Sequence, residues 1–342
     1  MAITRIGKPA IADVRGVNFR NIIINGDQSI AQRSTSKSGA NTQAYHCTDR
    51  WFNVGMSIGT WTISQSTDVP TGQGFAKSLK YDCTTAEASP SAGDQLHLSQ
   101  RIEGQNLQYL LKGTSSAKSL TLSFWVKTNK TGTYQVNLRD KDNTRIIGKT
   151  YAVSSADTWE KKILTFAGDT TGAFDNDNAS SLECEWFLGA GSTYTSGAVP
   201  TSWEAESAGD RAAGLTVNLG DSTSNEWYIT GVQLEAGQVA SDFEFLPVDV
   251  NLKRCQRYYQ TMTLVRSGSY YASTAANVRS GQTSLPTFMR TNASITFSSQ
   301  GYSNASSLTV DGTDEGHFNT YCASSGAGGF YWEANVAADA EL

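Results

Sequence analysis

The sequence predicts an all-β protein, a jelly-roll β-sandwich followed by a smaller C-terminal β module, with one short helix linking the two. Three observations carry that prediction. Short runs rich in Val, Ile, Thr, Tyr, Phe and Trp alternate apolar and polar residues with a period of two. Clusters of Gly, Asn, Asp and Ser punctuate those runs, as turns require. No helical pattern alternates with the strands, so a parallel α/β sheet would lack its crossover segments.

The clearest strand is "SLTLSFWVK", which puts Leu120, Leu122, Phe124 and Val126 on one face. "GTYQVNLRD" does the same with Tyr134, Val136 and Leu138, and "TNKTG" between them predicts a hairpin turn. The pattern continues through "TWEKKILTFAGD", "LECEWFLGAG", "GLTVNLGD" and "EWYITGVQLEAG". About eight strands with long connections, such as 189–213, fit a two-sheet jelly roll better than a small barrel. In the last of these strands Val232 and Leu234 point inward, and Gly237 lets the chain turn. One further turn is expected at 105–111, in "EGQNLQYLLKG".

Pro247 ends an extended link, and "NLKRCQRYY" follows with Leu252, Cys255 and Tyr259 on one helical stripe and Asp249 or Asn251 available as a cap. Strand character then resumes in "TLVRSGSYYAS", "ASITFSSQ", "SLTVDGT", "HFNTYCASS" and "GFYWEANVAADAEL", enough for a small second module. The expected organisation is an N-terminal attachment arm at 1–24, the sandwich at 25–246, the linker helix at 247–260 and the C-terminal module at 261–342. The arm is assigned because Ile3, Ile6, Ile11, Val14, Val17 and Phe19 are isolated apolar residues without a globular pattern.

A net charge of -5 with 17% charged residues, and no Lys/Arg cluster, argues against nucleic-acid binding, which needs a basic stripe. Ser, Thr, Asn, Gln and Gly supply the polar fraction, a neutral hydroxyl-rich surface suited to sugars and to packed assemblies. No run of eighteen apolar residues is present and the first residues lack an apolar signal core, so synthesis in a cytoplasm without membrane insertion is expected. Cys47, Cys83, Cys184, Cys255 and Cys322 are far apart and odd in number, which predicts buried free thiols rather than disulfides or a zinc site.

Catalytic motifs are weak. His46, His97 and His317 are scattered, and His46 beside Cys47 would point to opposite faces of a strand. Glu183 and Glu185 share a strand face roughly 7 Å apart, a spacing that suits glycoside hydrolysis but also any solvated strand. "DNDN" at 175–178 lacks the glycine and terminal glutamate of an EF-hand; it reads as a turn, with room for a structural calcium. No cofactor or metal is assigned. The stronger candidates are His97, Trp125, Asn137, Arg139, Glu185 and Phe187, which alternation places away from the apolar faces of their strands. A ring face beside amide, guanidinium and carboxylate groups is the chemistry that binds a glycan. The same residues would also serve to pack a second module or a neighbouring subunit, the reading favoured by the large intersubunit interfaces of fibres.

"NIIINGDQSIAQRSTS", "CTDRW", "SLTLSFWVKTNKTGTYQVNL", "SADTWEKKILTFAGDTTG", "ITGVQLEAGQVASDFEF", "CQRYY" and the terminal "AADAEL" together resemble virion proteins of tailed bacteriophages, especially phages of marine bacteria. The resemblance spans almost the whole chain. It implies a non-enzymatic tail fibre whose core is similar to carbohydrate-binding jelly rolls. It also implies a homotrimer in the virion, on the tail or capsid surface, made in the host cytoplasm, with the arm contacting other virion proteins and the sandwich a host surface glycan. The alternatives are a capsid (head) fibre or decoration protein, and a surface-polysaccharide depolymerase. Where the family has an acidic lead into the helix, this chain has "FLPVDVNLK".

Overall fold

The computed structural model describes residues 19–54, 57–270, 277–323 and 328–342. Most of the expected arm lies outside them. The chain forms a two-sheet sandwich and a smaller pair of sheets, antiparallel at every pairing described. With strands numbered along the chain, the six-stranded sheet runs β1 (Ser36–Ala40), β4 (Thr60–Ser66), β5 (Ser78–Thr85), β13 (Glu226–Ala236), β7 (Leu120–Thr128), β10 (Glu160–Phe166). The seven-stranded sheet facing it runs β12 (Glu204–Ala205), β9 (Arg145–Val153), β8 (Gly132–Asp140), β11 (Ser180–Ala190), β6 (Gln95–Glu103), β3 (Phe52–Val54), β2 (Ala44–Tyr45). The C-terminal pair is β14 (Tyr259–Tyr270), β19 (Gly328–Asp339), β16 (Ser294–Ser303) and β15 (Asn277–Ser284), β18 (His317–Ala323), β17 (Thr309–Thr313). Two helices are described, α1 (Ser192–Thr195) and α2 (Val248–Gln256).

Alternation selects the core as expected: Leu122, Phe124, Val126, Tyr134, Val136, Leu138, Val232 and Leu234 are fully buried between the sheets. Indole and phenyl rings interlock there, Trp186 against Trp51 at 5.6 Å and against Phe124 at 6.0 Å, Tyr81 against Trp61 and Trp227. Each such side chain stabilises the fold by about 1.5–3 kcal/mol through burial. The "TNKTG" turn is not a hairpin, because β7 and β8 belong to opposite sheets and the turn carries the chain across the sandwich. Both strands show an apolar face to the same interior, so their alternation is the same in either connection. In β13 the register against β7 shifts between Thr230 and Gln233. Gly231 sits there at φ +60, and a Cβ would lie 2.5 Å from the Phe75 ring.

Residues 19–24 of the expected arm belong to the sandwich. Ile22 donates its N–H to Leu234 O at 2.8 Å, and Ile23 is buried in the core. Helix α2 begins after Pro247, with no side-chain cap, so Asp249 and Asn251 lie inside its first turn instead of capping it. Its buried residues are Asn251 and Cys255, and Tyr258 is buried just past its end; Cys255 is buried as expected, while Asn251 and Tyr258 take the places expected for Leu252 and Tyr259, with Asn251 drawn in to bond Asp27 and Ser29.

The C-terminal module has its own core around Leu264, Met289, Phe318, Trp332 and Val336. A charged junction ties it to the sandwich. Glu103, fully buried at the end of β6, accepts from Arg257 at 2.8 and 2.7 Å and from the Tyr258 hydroxyl at 2.5 Å. Burial works against its charge, but those bonds outweigh it and hold Glu103 below the usual carboxylate range. Arg50, also fully buried, pairs with Glu341 and lies 3.5 Å above the Tyr258 ring. Arg33 stacks on Tyr259 at 3.6 Å and pairs with Asp339 at 2.9 Å and Glu341 at 3.2 Å.

Candidate functional site

Five of the six residues singled out by alternation come together on the seven-stranded sheet. Glu185 on β11 faces Asn137 on β8, Glu183 faces Arg139, and Phe187 faces His97 on β6. All five point away from the intersheet core, yet none of them forms an open surface. The connection between β11 and β13 folds over them. Its Tyr194 ring reaches Phe187 at 6.4 Å, Arg211 bonds Glu185 at 2.7 Å, and Glu206 pairs with Arg139. The side-chain amides of Gln135 and Asn137 donate to Asp210 O and Arg211 O at 2.8 and 2.7 Å. His97, Asn137, Glu185 and Phe187 are thereby fully buried and Arg139 is 8% exposed, which corrects the expectation of an outward glycan platform there. Period two says which residues leave the core; it cannot say what a long loop lays over them.

The electrostatics of this layer are those of a sealed network. Burial opposes the charge of Glu185, but Arg211 and Arg139 at 2.7 and 2.6 Å outweigh it and hold the carboxyl at about 2. His97 stacks on Phe187 at 4.5 Å, and burial pushes its pKa down to about 3 despite Glu185 at 3.6 Å. Arg139 spans Glu183 and Glu185 at 3.1 and 2.6 Å, so the two glutamates are tied to one guanidinium and shut from solvent. Nothing here can reach the glycosidic oxygen of a polymer. "DNDN" forms a turn in which Asp177 accepts from the Ala179 N–H at 2.9 Å and the Asn178 amide donates to Arg290 O at 2.6 Å. Among the described residues no group of three or more His, Cys, Asp and Glu is arranged to hold a metal ion.

Trp125 lies apart from the other five, on β7 in the opposite sheet, so it cannot share a site with them. It remains half-exposed on the outer face of the six-stranded sheet, flanked by Lys161 on β10 and Thr230 on β13. Lys127, two residues along, pairs with Tyr228. Its ammonium lies 4.4 Å from the Tyr228 ring and 5.8 Å from that of Trp159. Trp159, half-exposed just before β10, donates its indole N–H to Asp68 at 3.0 Å and meets Tyr228 edge-on at 6.1 Å. Asp68 also pairs with Lys127; slight burial opposes its charge, but the bonds from Lys127 and Trp159 outweigh it and lower its pKa. Exposed Lys161 and Ile163 complete the face. Trp159 precedes β10 by one residue, two positions before Lys161, the partner of Trp125, so the two indoles leave neighbouring segments on one face.

This face offers two half-exposed indoles, an ammonium and a carboxylate, with Trp125 and Lys127 on β7 and Trp159 and Asp68 supplied by the connections beside the sheet. Trp159, Lys127, Tyr228 and Asp68 were not among the sequence candidates. Lys127 and Tyr228 carry the same signal as Trp125, an outward position in an alternating strand. Grouping them required the register of β7, β10 and β13.

No protein-family model matches the chain, and no curated protein sequence matches it. Among solved structures it is similar to the enzymatically active domain of bacteriophage CBA120 tailspike protein 4, with TM-score 0.33 and 14% identity over 64% of this chain. The alignment spans 21% of that structure's length. A CBM4 structure aligns at TM-score 0.32 and 13% identity, covering 62% of this chain and 97% of that one. TmCBM61 in complex with β-1,4-galactotriose aligns at TM-score 0.31 and 9% identity, covering 64% and 99%.

Proposed function

We propose that this chain is a non-enzymatic structural protein of a tailed-phage virion, a homotrimeric tail fibre that attaches the particle to a host surface glycan through the outer face of its six-stranded sheet. The observation that carries the reading is the pair of half-exposed indoles, Trp125 and Trp159, set on one sheet face with Lys127 and Asp68 beside them. Sugars present apolar ring faces and hydroxyls together, and that combination of rings and charged hydrogen-bonding groups receives both. The resemblance of the sequence to phage virion proteins supports the location, and the N-terminal residues then join the fibre to its neighbours. Three-fold packing suits a chain whose C-terminal sheets leave Tyr302 and Tyr331 at 54% and 40% exposure.

A glycan array probed with the full chain tests the reading. Wild-type protein is expected to bind a discrete set of glycans, and Trp125→Ala and Trp159→Ala each to lose roughly tenfold or more in affinity, as removal of a stacking ring does. Unchanged binding by the double variant would remove this face from recognition. Release of reducing ends from a bound polysaccharide would replace the fibre reading with a depolymerase.

A further inference from the structure

A second site lies where the sandwich, α2 and the C-terminal module meet. A cleft of about 930 Å³ opens there, within the size range of small-ligand sites and at a boundary between units where such sites concentrate. Its walls hold Arg101, Lys253, Arg254 and Arg257 and, among the described residues, no Asp or Glu, in a chain of net charge -5. Arg101 and Arg257 are already matched from behind by Glu183 and Glu103. Lys253 and Arg254 are not. Lys253 is exposed on α2 and has no ion-pair partner among the described residues, and Arg254 bonds only the Asn21 carbonyl, at 3.2 Å. Burial outweighs the attraction of Glu244 and lowers the Arg254 pKa, which marks a cation held at a desolvation cost. Two exposed rings also line the cleft, Tyr109 at 45% exposure and Phe288 at 68%, with the amides of Gln105 and Asn106.

We infer that this cleft binds an acidic oligosaccharide, with Lys253 and Arg254 meeting its anionic group and Tyr109 and Phe288 its ring faces. A simple anion would use the cations but not the rings, and a neutral sugar the rings but not the cations. The site is separate from the Trp125 face and does not depend on it.

The test is calorimetric titration of the full chain with hexagalacturonate, a sulfated galactan oligosaccharide and a sialic acid oligomer, each against a neutral counterpart of matched length, at low and high salt. At least one acidic probe is expected to bind about tenfold or more tighter than its neutral counterpart, less tightly at high salt. Lys253→Gln is expected to cost about tenfold, a charge-assisted hydrogen bond, while Lys253→Arg retains binding. Lys253 is exposed, so these variants fold. Tyr109→Ala should weaken the acidic sugar and not inorganic phosphate. No preference for any acidic probe, or equal binding by Lys253→Gln, overturns the inference. Displacement by inorganic phosphate with no effect of Tyr109→Ala overturns its sugar half. Loss of acidic-sugar binding in Trp125→Ala would place recognition on the outer face instead.

Discussion

Glu341→Gln should loosen the C-terminal module from the sandwich. The substitution keeps side-chain size and removes the carboxylate that pairs with Arg50, whose side chain is fully buried over Tyr258. Burial disfavours the Arg50 charge, and Glu341 is the largest influence that restores it. Removing one partner of a buried pair leaves the other charge uncompensated, at a cost of about 3–5 kcal/mol. The lower end applies here, because Arg50 keeps a bond to the Arg101 carbonyl at 2.6 Å and Arg33 keeps Asp339 at 2.9 Å. At ~3 kcal/mol the transition of the C-terminal module should fall by roughly 12–24 °C, at the 4–8 °C per kcal/mol typical of a unit of its size. The double variant Arg50→Met with Glu341→Leu should recover most of that loss, since apolar residues of similar size replace buried pairs at little cost. A loss below about 1 kcal/mol, the range of exposed pairs, would refute the claim that this pair fastens the module.

Other outcomes follow from the same structure. His97 is held neutral down to about 3, below its ordinary 6.5, so the folded state binds fewer protons in that window. Its stabilising contribution is complete above 6.5 and is lost as pH falls toward 3, by up to about 1.4 kcal/mol per pH unit. Urea midpoints of His97→Leu should therefore depend less steeply on pH there than those of the wild type. Gly231→Ala would place a methyl against the Phe75 ring at a positive φ and should destabilise by about 2 kcal/mol or more in urea unfolding. All five thiols are buried, and burial pushes Cys47 up to about 12, so a disulfide reagent should titrate almost no thiol in the native chain and all of them in denaturant.

The alternation of "SLTLSFWVK" and "GTYQVNLRD" identified which side chains fill the sandwich, because burial acts on each strand separately. It could not say that β7 and β8 lie in different sheets, since both face one interior. The outward positions His97, Asn137, Arg139, Glu185 and Phe187 were legible as a group but not their burial, which depends on Tyr194, Glu206 and Arg211 arriving from a distant loop. Trp125 was legible alone; its company, Trp159 and Lys127, depends on cross-strand register. The stretches "CTDRW", "CQRYY" and "AADAEL" lie far apart in the sequence. They meet at one junction, through Arg50, Arg257, Tyr258, Asp339 and Glu341, because long-range ion pairs leave no local periodicity.

The most direct test of a tail fibre that meets the host is immunogold labelling of intact virions with an antibody against the C-terminal module. Label at the distal end of the tail is the expected result. Label over the head would contradict the account and make this chain a capsid decoration.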